Sequence, residues 1–138
     1  MRLAHEVASN GTCSRAEVGA VLVNDDRVIS IGYNGAPRGM PHCVEVGCDI
    51  IKVDGVDHCI RSVHAEENVI ANAAFGGSKT KGATLYCTLS PCYACCRILV
   101  NAGIAQVYYA KDYPDARARE LWFVKKHYGD FIVTQHDS

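Results

Sequence analysis

Two short motifs constrain the folding of this chain more than anything else in it: His64-Ala65-Glu66, and Pro91-Cys92-Tyr93-Ala94-Cys95. Together they offer one imidazole and two sulfurs. That donor set suits Zn²⁺ and leaves its fourth tetrahedral position open for water, as in catalytic rather than structural zinc sites. Cys92 and Cys95 are three residues apart, so in the first turn of a helix both sulfurs face the same side. The positive end of the helix dipole and its unpaired N–H groups also favour thiolate, the form that binds metal. His64 and Glu66 are separated by about 200° of helical rotation, so they belong at a helix entrance and not on one face of a regular helix. The chain must therefore bring two helix entrances together.

Each half of this pattern has a blander reading. A CxxC pair alone serves redox chemistry as readily as metal binding, and a His close to a Glu is commonly a surface pair. The joint occurrence, each motif at a predicted helix start, favours a metal held by His64, Cys92 and Cys95 with Glu66 beside it as a proton carrier.

With 138 residues and 49% hydrophobic composition, the chain is about one domain long and can bury an ordinary core, so residues 1–138 are read as a single domain. Lys and Arg number 14 against 15 Asp and Glu, and the longest basic run is Lys125-Lys126. That is a poor electrostatic footprint for a polynucleotide, and a small substrate fits better. No stretch approaches about 20 apolar residues, and Met1-Arg2-Leu3-Ala4-His5-Glu6 lacks the apolar run of a secretory signal. The expectation is a cytoplasmic protein, in a host cytoplasm if phage-encoded, with no membrane partner. In a reducing compartment eight cysteines favour metal ligands over disulfides.

The periodicity predicts a short helix carrying Leu3, Val7 and Ala8, ended by Asn10-Gly11. Val18–Val23 and Val28–Ile31 read as a hairpin across Asn24-Asp25-Asp26. Gly32 to Ser62 reads as a long loop pinned by Cys43, Cys48, His58 and Cys59. Then come a helix over His64–Phe75 stopped by Gly76-Gly77, a strand over Ala83–Thr88, a helix over Tyr93–Ala102 behind Pro91 and a strand over Ala105–Ala110. A helix from Asp115 to about His127 and a strand over Phe131–Thr134 complete the chain. Two initial strands followed by strand–helix alternation point to a three-layer α/β/α fold with a mixed five-stranded sheet.

The motifs His64-x-Glu66 and Pro91-Cys92-x-x-Cys95 are the signature of the zinc nucleobase deaminases. Cys13-Ser14-Arg15-Ala16-Glu17-Val18-Gly19-Ala20-Val21, the loop from Gly32 to Gly39 (Gly-Tyr-Asn-Gly-Ala-Pro-Arg-Gly) and Cys59-Ile60-Arg61 narrow the match. Over nearly its whole length the chain resembles the deoxycytidylate deaminases of the cytidine deaminase superfamily, in their phage and bacterial form. The resemblance implies hydrolysis of dCMP to dUMP and ammonia, supply of dUMP for dTTP synthesis, activation by dCTP with Mg²⁺, inhibition by dTTP, and a hexamer. It makes Glu66 the acid–base residue. It implies that Asn34 holds the sugar and base edge, although a turn Asn is the plainer reading, and that Arg15 meets the substrate phosphate, although a solvated Arg is the plainer reading. Val18, Ala20 and Ala65 are candidates for the base pocket, being residues of a type otherwise found in cores.

The resemblance also implies a second, structural zinc involving Cys13 and Cys43, with the remaining ligands among Cys48, His58 and Cys59, because Ser62 stands where some relatives carry a carboxylate ligand. Cys87 reads as core, and Cys96 points away from Cys92 and Cys95. Gly35, Arg38 and Gly39 are expected in the triphosphate effector site, their glycines letting backbone N–H groups approach phosphate, with a simple turn as the alternative. Two rival functions stay open: a deaminase of another base, such as tRNA adenosine or free cytidine, and a non-enzymatic zinc module.

Overall fold

A computed structural model of the chain describes residues 1–137. Its centre is a five-stranded sheet in the order β2-β1-β5-β6-β7. β1 (Gly19–Asn24) and β2 (Arg27–Tyr33) form the expected hairpin, closed by Asp25 and Asp26 at φ 51° and 60°. Positive φ at both central residues is the turn that follows the natural twist of paired strands, and Asp tolerates it. β1 runs antiparallel to β5 (Thr84–Leu89), whereas β6 (Gln106–Lys111) and β7 (Ile132–Gln135) continue parallel to β5. The sheet is mixed, as expected.

Alternation along the strands assigns the layers. Ala20, Leu22, Leu85, Cys87, Val107 and Tyr109 face one side, where Val69 and Ala73 of α3 (Ala65–Phe75) and Leu99 of α4 (Tyr93–Asn101) complete the main core. Trp122 of α5 (Ala116–Tyr128) packs near Tyr109, with ring centroids 5.9 Å apart. On the opposite side Ala4 and Val7 of α1 (Arg2–Ala8) pack on Val21, with Val23 and Tyr86 beside them. The outer layer on that side is thus α1, and the three-layer expectation holds. Gly32 lets α3 lie against the sheet, since a Cβ there would come within 2.5 Å of the Val69 nitrogen and 2.6 Å of the Ala65 carbonyl. That close approach positions the start of α3.

One expectation needs correction. The segment between residues 32 and 62 is not a plain loop, because it contains α2 (Cys43–Val46) and a separate hairpin of β3 (Ile50–Val53) and β4 (Val56–Cys59). Asp54-Gly55, at φ 52° and 78°, forms its turn. Every residue of β3 is exposed, so no burial alternation marks the strand, yet the Asp-Gly pair between β-branched runs was a legible hairpin signal. Among the described residues no helix is long and apolar enough to cross a membrane.

Candidate active site

His64 is the N-cap of α3 and Cys92 the N-cap of α4, so the two predicted helix entrances do meet. His64 Nδ1 lies 3.3 Å from Cys95 Sγ and 3.6 Å from Cys92 Sγ. A tetrahedral ion with Zn–S near 2.3 Å and Zn–N near 2.0–2.1 Å would set neighbouring N and S atoms about 3.5 Å apart, so the cluster has the dimensions zinc requires. Hydrogen bonding from the Cys95 thiol and from His64 holds Cys92 down at about 4. The Cys92 thiolate in turn raises His64 to about 9, while the same hydrogen-bonded thiolate and burial push Cys95 upward. An anion gathering protons from both neighbours marks a place that stabilises a cation.

Glu66, the second residue of α3, is only 5% exposed. Burial raises its carboxyl to about 7, against the opposing effects of a hydrogen bond from Cys95 and the charge of His64. A carboxyl poised near neutrality both accepts and donates protons readily.

These groups open onto a cleft of about 790 Å³ over the end of β5. Arg15, Val18, Asn34 and Ala65 are among the residues that line it. Ala20 does not. It shares the Val18 face but lies one rung deeper, fully buried in the core with Ala65 and Val69, so its assignment to the base pocket is corrected. The Asn34 Oδ1 accepts from the Val18 N–H at 2.8 Å and its Nδ2 donates to the Ala16 carbonyl at 2.7 Å. Asn34 therefore braces residues 16–18 and keeps one amide hydrogen and one lone pair for a ligand. Arg15 is exposed and donates to the Asp57 carbonyl at 3.5 Å.

Cys13, Cys43, Cys48 and Cys59 bring four sulfurs within 4.8 Å of one another. The Cys13–Cys48 and Cys43–Cys59 separations are 3.7 and 3.5 Å, close to the roughly 3.8 Å edge of a Zn–S₄ tetrahedron. Burial works against a Cys59 thiolate, but backbone N–H groups of Ser62, Asp49 and Arg61 outweigh it and lower Cys59 to about 6. His58 is not part of this cluster. It lines the cleft, whose wall Cys13 and Cys59 of the cluster also reach, so His58 is corrected from a candidate ligand to a wall residue. Cys48 and Cys59 are thus the two of the remaining candidates that join Cys13 and Cys43 in one cluster.

Cys87 is fully buried in the core, and Cys96 accepts a hydrogen bond from Trp122 Nε1 at 3.1 Å. The Gly35–Gly39 loop lies outside the cleft lining. Gly35 exchanges backbone hydrogen bonds with Val63, so its N–H is already engaged. Arg38 donates to Asn72 at 2.9 Å and stacks over Phe75 at 4.4 Å, both on α3, while Gly39 adopts φ 77° with open space around it. His5, Asp57, Thr88, Ser90, Lys111 and Tyr113 also stand in the cleft wall, although no sequence motif announces them. Ser90, Lys111 and Tyr113 follow or end the parallel strands β5 and β6, where open α/β sheets place their ligands, and that topology was the available signal.

Residues 1–111 match the cytidine and deoxycytidylate deaminase zinc-binding region. The chain belongs to this deaminase family. ComE operon protein 2 of Bacillus subtilis is 45% identical over 113 residues, covering 82% of this chain and 58% of that protein. A deoxycytidylate deaminase of Saccharomyces cerevisiae is 39% identical over 117 residues, covering 82% of this chain but 36% of the yeast protein. The chain thus spans little more than half, or little more than a third, of these two relatives. Among solved structures, a dCMP deaminase from the cyanophage S-TIM5 in complex with dCMP and dUMP superposes with a TM-score of 0.79 at 26% identity, covering 98% of this chain and 92% of the phage chain.

Proposed function

We propose that this deaminase-family chain converts dCMP to dUMP and ammonia by zinc-dependent hydrolysis, supplying dUMP for dTTP synthesis. The observation that carries the reading is the buried Glu66 carboxyl, poised near neutrality beside the His64, Cys92 and Cys95 cluster. A purely structural site has no use for such a group. Zinc bound by those three residues would supply the Lewis acidity that makes water nucleophilic at neutral pH. Glu66 takes one proton from the attacking water and delivers it to N3 of the cytosine ring, then takes the remaining hydroxyl proton at C4 and passes it to the amine, which leaves as ammonia while the C4 carbonyl forms. Asn34 and Ala65 orient the base and sugar, Val18 packs against them, and Arg15 meets the phosphate. Burial of Glu66 keeps competing water away from the proton path.

The same reading gives Cys13, Cys43, Cys48 and Cys59 a structural zinc, and makes residues 1–138 one catalytic domain working in the cytoplasm as a hexamer. Full-length protein loaded with zinc should carry two ions per chain by native mass spectrometry and release ammonia from dCMP faster than from deoxycytidine, cytidine or tRNA. A doubly loaded protein inert toward dCMP would end the proposal.

For regulation we propose an activating dCTP–Mg²⁺ complex and inhibitory dTTP, competing at a site that includes Gly35, Arg38 and Gly39. Support comes from the family resemblance and from Arg38, whose guanidinium lies on the protein surface. If each nucleotide prefers one of two states, a coupling of about 1–3 kcal/mol corresponds to roughly 5–150-fold in affinity. dCTP should shift the dCMP rate curve to lower concentration and dTTP should reverse it, and Arg38→Ala should blunt both. Rates insensitive to either nucleotide would leave this loop a structural role.

A further inference from the structure

The cations in the cleft wall are not matched by the acids beside them. Asp57 and Asp112 both line the cleft, but Lys52 holds the first carboxylate at 2.9 Å and Arg119 holds the second. Arg15 and Lys111 also line it, and among the described residues neither has a carboxylate within ion-pair distance. Of the other acids in the wall, Glu66 is buried at the zinc cluster, which leaves Glu17 as the exposed acid with no counter-ion. The rim therefore holds two solvent-accessible cations outside any ion pair against one such acid, a net positive charge that suits a phosphate and that a nucleoside does not need.

The sheet places these two cations on either side of β5. Arg15 lies in the segment entering β1, and Gly19 at the start of that strand donates to Thr88 of β5 at 3.1 Å. Lys111 ends β6 in register with Leu89, on the other flank. Its backbone is firmly fixed. Ser90 N–H donates to the Lys111 carbonyl at 2.9 Å, Ser90 Oγ accepts from the Tyr113 N–H at 2.7 Å, and the same hydroxyl donates to the Tyr113 carbonyl at 3.2 Å. Ser90 immediately precedes Pro91 and Cys92, so this rim is stitched to the zinc site, while Lys111 itself is exposed in the cleft wall.

We propose that Lys111 is the second cation of a phosphate clamp, holding the substrate monophosphate together with Arg15 from the opposite flank of β5 and so selecting nucleotide over nucleoside. This rests on the proposed deamination of dCMP. Lys suits the role, because an ammonium on a flexible stem meets phosphate oxygens as a point charge without needing one exact geometry.

The test compares kcat/KM for dCMP and for deoxycytidine in the zinc-loaded wild type, Lys111→Ala and Lys111→Arg. Lys111→Ala should reduce the preference for dCMP roughly ten- to a hundredfold, the size of one charge-assisted hydrogen bond, chiefly through KM. Lys111→Arg should restore most of it, and added salt should weaken dCMP use in the wild type more than in Lys111→Ala. Equal losses on both substrates, or a preference unchanged by Lys111→Ala, would overturn the clamp while leaving the deaminase reading intact. A wild type that turns over deoxycytidine as well as dCMP would overturn both.

Discussion

Glu66→Gln should bind zinc as the wild type does and yet turn over dCMP roughly 10²–10⁴ times more slowly, toward the larger figure because one carboxyl serves several proton transfers. The substitution preserves shape and volume at a site only 5% exposed, so the first turn of α3 keeps its packing against the sheet. It removes the one property the mechanism needs, a proton exchangeable near neutrality. Glu66 stands outside the group of His64, Cys92 and Cys95, so the metal affinity has no reason to fall. Native mass spectrometry gives the metal content and ammonia release gives the rate. A Glu66→Gln protein with zinc in place and near-normal turnover would mean that another group moves the protons; Glu66→Ala provides the same test without an amide in the site.

The parts of this site that were legible in the sequence are those whose placement is local. His64 and Cys92 cap helices, and the start of a helix is announced by its own periodicity and by Pro91. Cys92 and Cys95 share a helix face by spacing alone. The hairpin turn at Asp25-Asp26 and the alternation of the five sheet strands were likewise local, and the sheet followed from them. A side chain whose role depends on something distant is not legible in this way. Ala20 and Val18 are equivalent in pattern, and only the packing of α3 over β1 makes one core and the other cleft wall. His58 and Cys59 are adjacent and both reach the cleft, and only the folding of the hairpin onto Cys13, Cys43 and Cys48 brings Cys59, and not His58, into the sulfur cluster. β3 carries no burial rhythm, because all of its residues are exposed, and only the Asp54-Gly55 turn marks its hairpin in the sequence. Lys111 and Tyr113 have no motif at all; the parallel pairing of β5 with β6 brings them beside Ser90.

Cys43→Ser should cost the protein one bound zinc and the order of a whole hairpin, while leaving the central sheet folded. Cys43 opens α2, is 4% exposed, and has its sulfur 3.5 Å from that of Cys59 at the end of β4. Cys13 before β1 and Cys48 before β3 complete the set, so the four sulfurs tie the hairpin to the sheet domain. The hairpin has little else to hold it. All of β3 is exposed and β4 is half-buried only at His58 and Cys59, so its apolar burial is too small to offset the entropy of ordering the chain. Structural zinc in small sites supplies roughly 10–16 kcal/mol, and loss of one thiolate from a four-sulfur set removes a large share of that. Native mass spectrometry should fall from two zinc ions to one, and amide hydrogen exchange should accelerate across residues 47–61 with the sheet strands still protected. The KM for dCMP should rise as well, because Asp57 and His58 on this hairpin wall the cleft and Arg15 reaches the Asp57 carbonyl. Two ions retained by Cys43→Ser, with unchanged exchange over residues 47–61, would show that the sulfur cluster does not hold the hairpin in place.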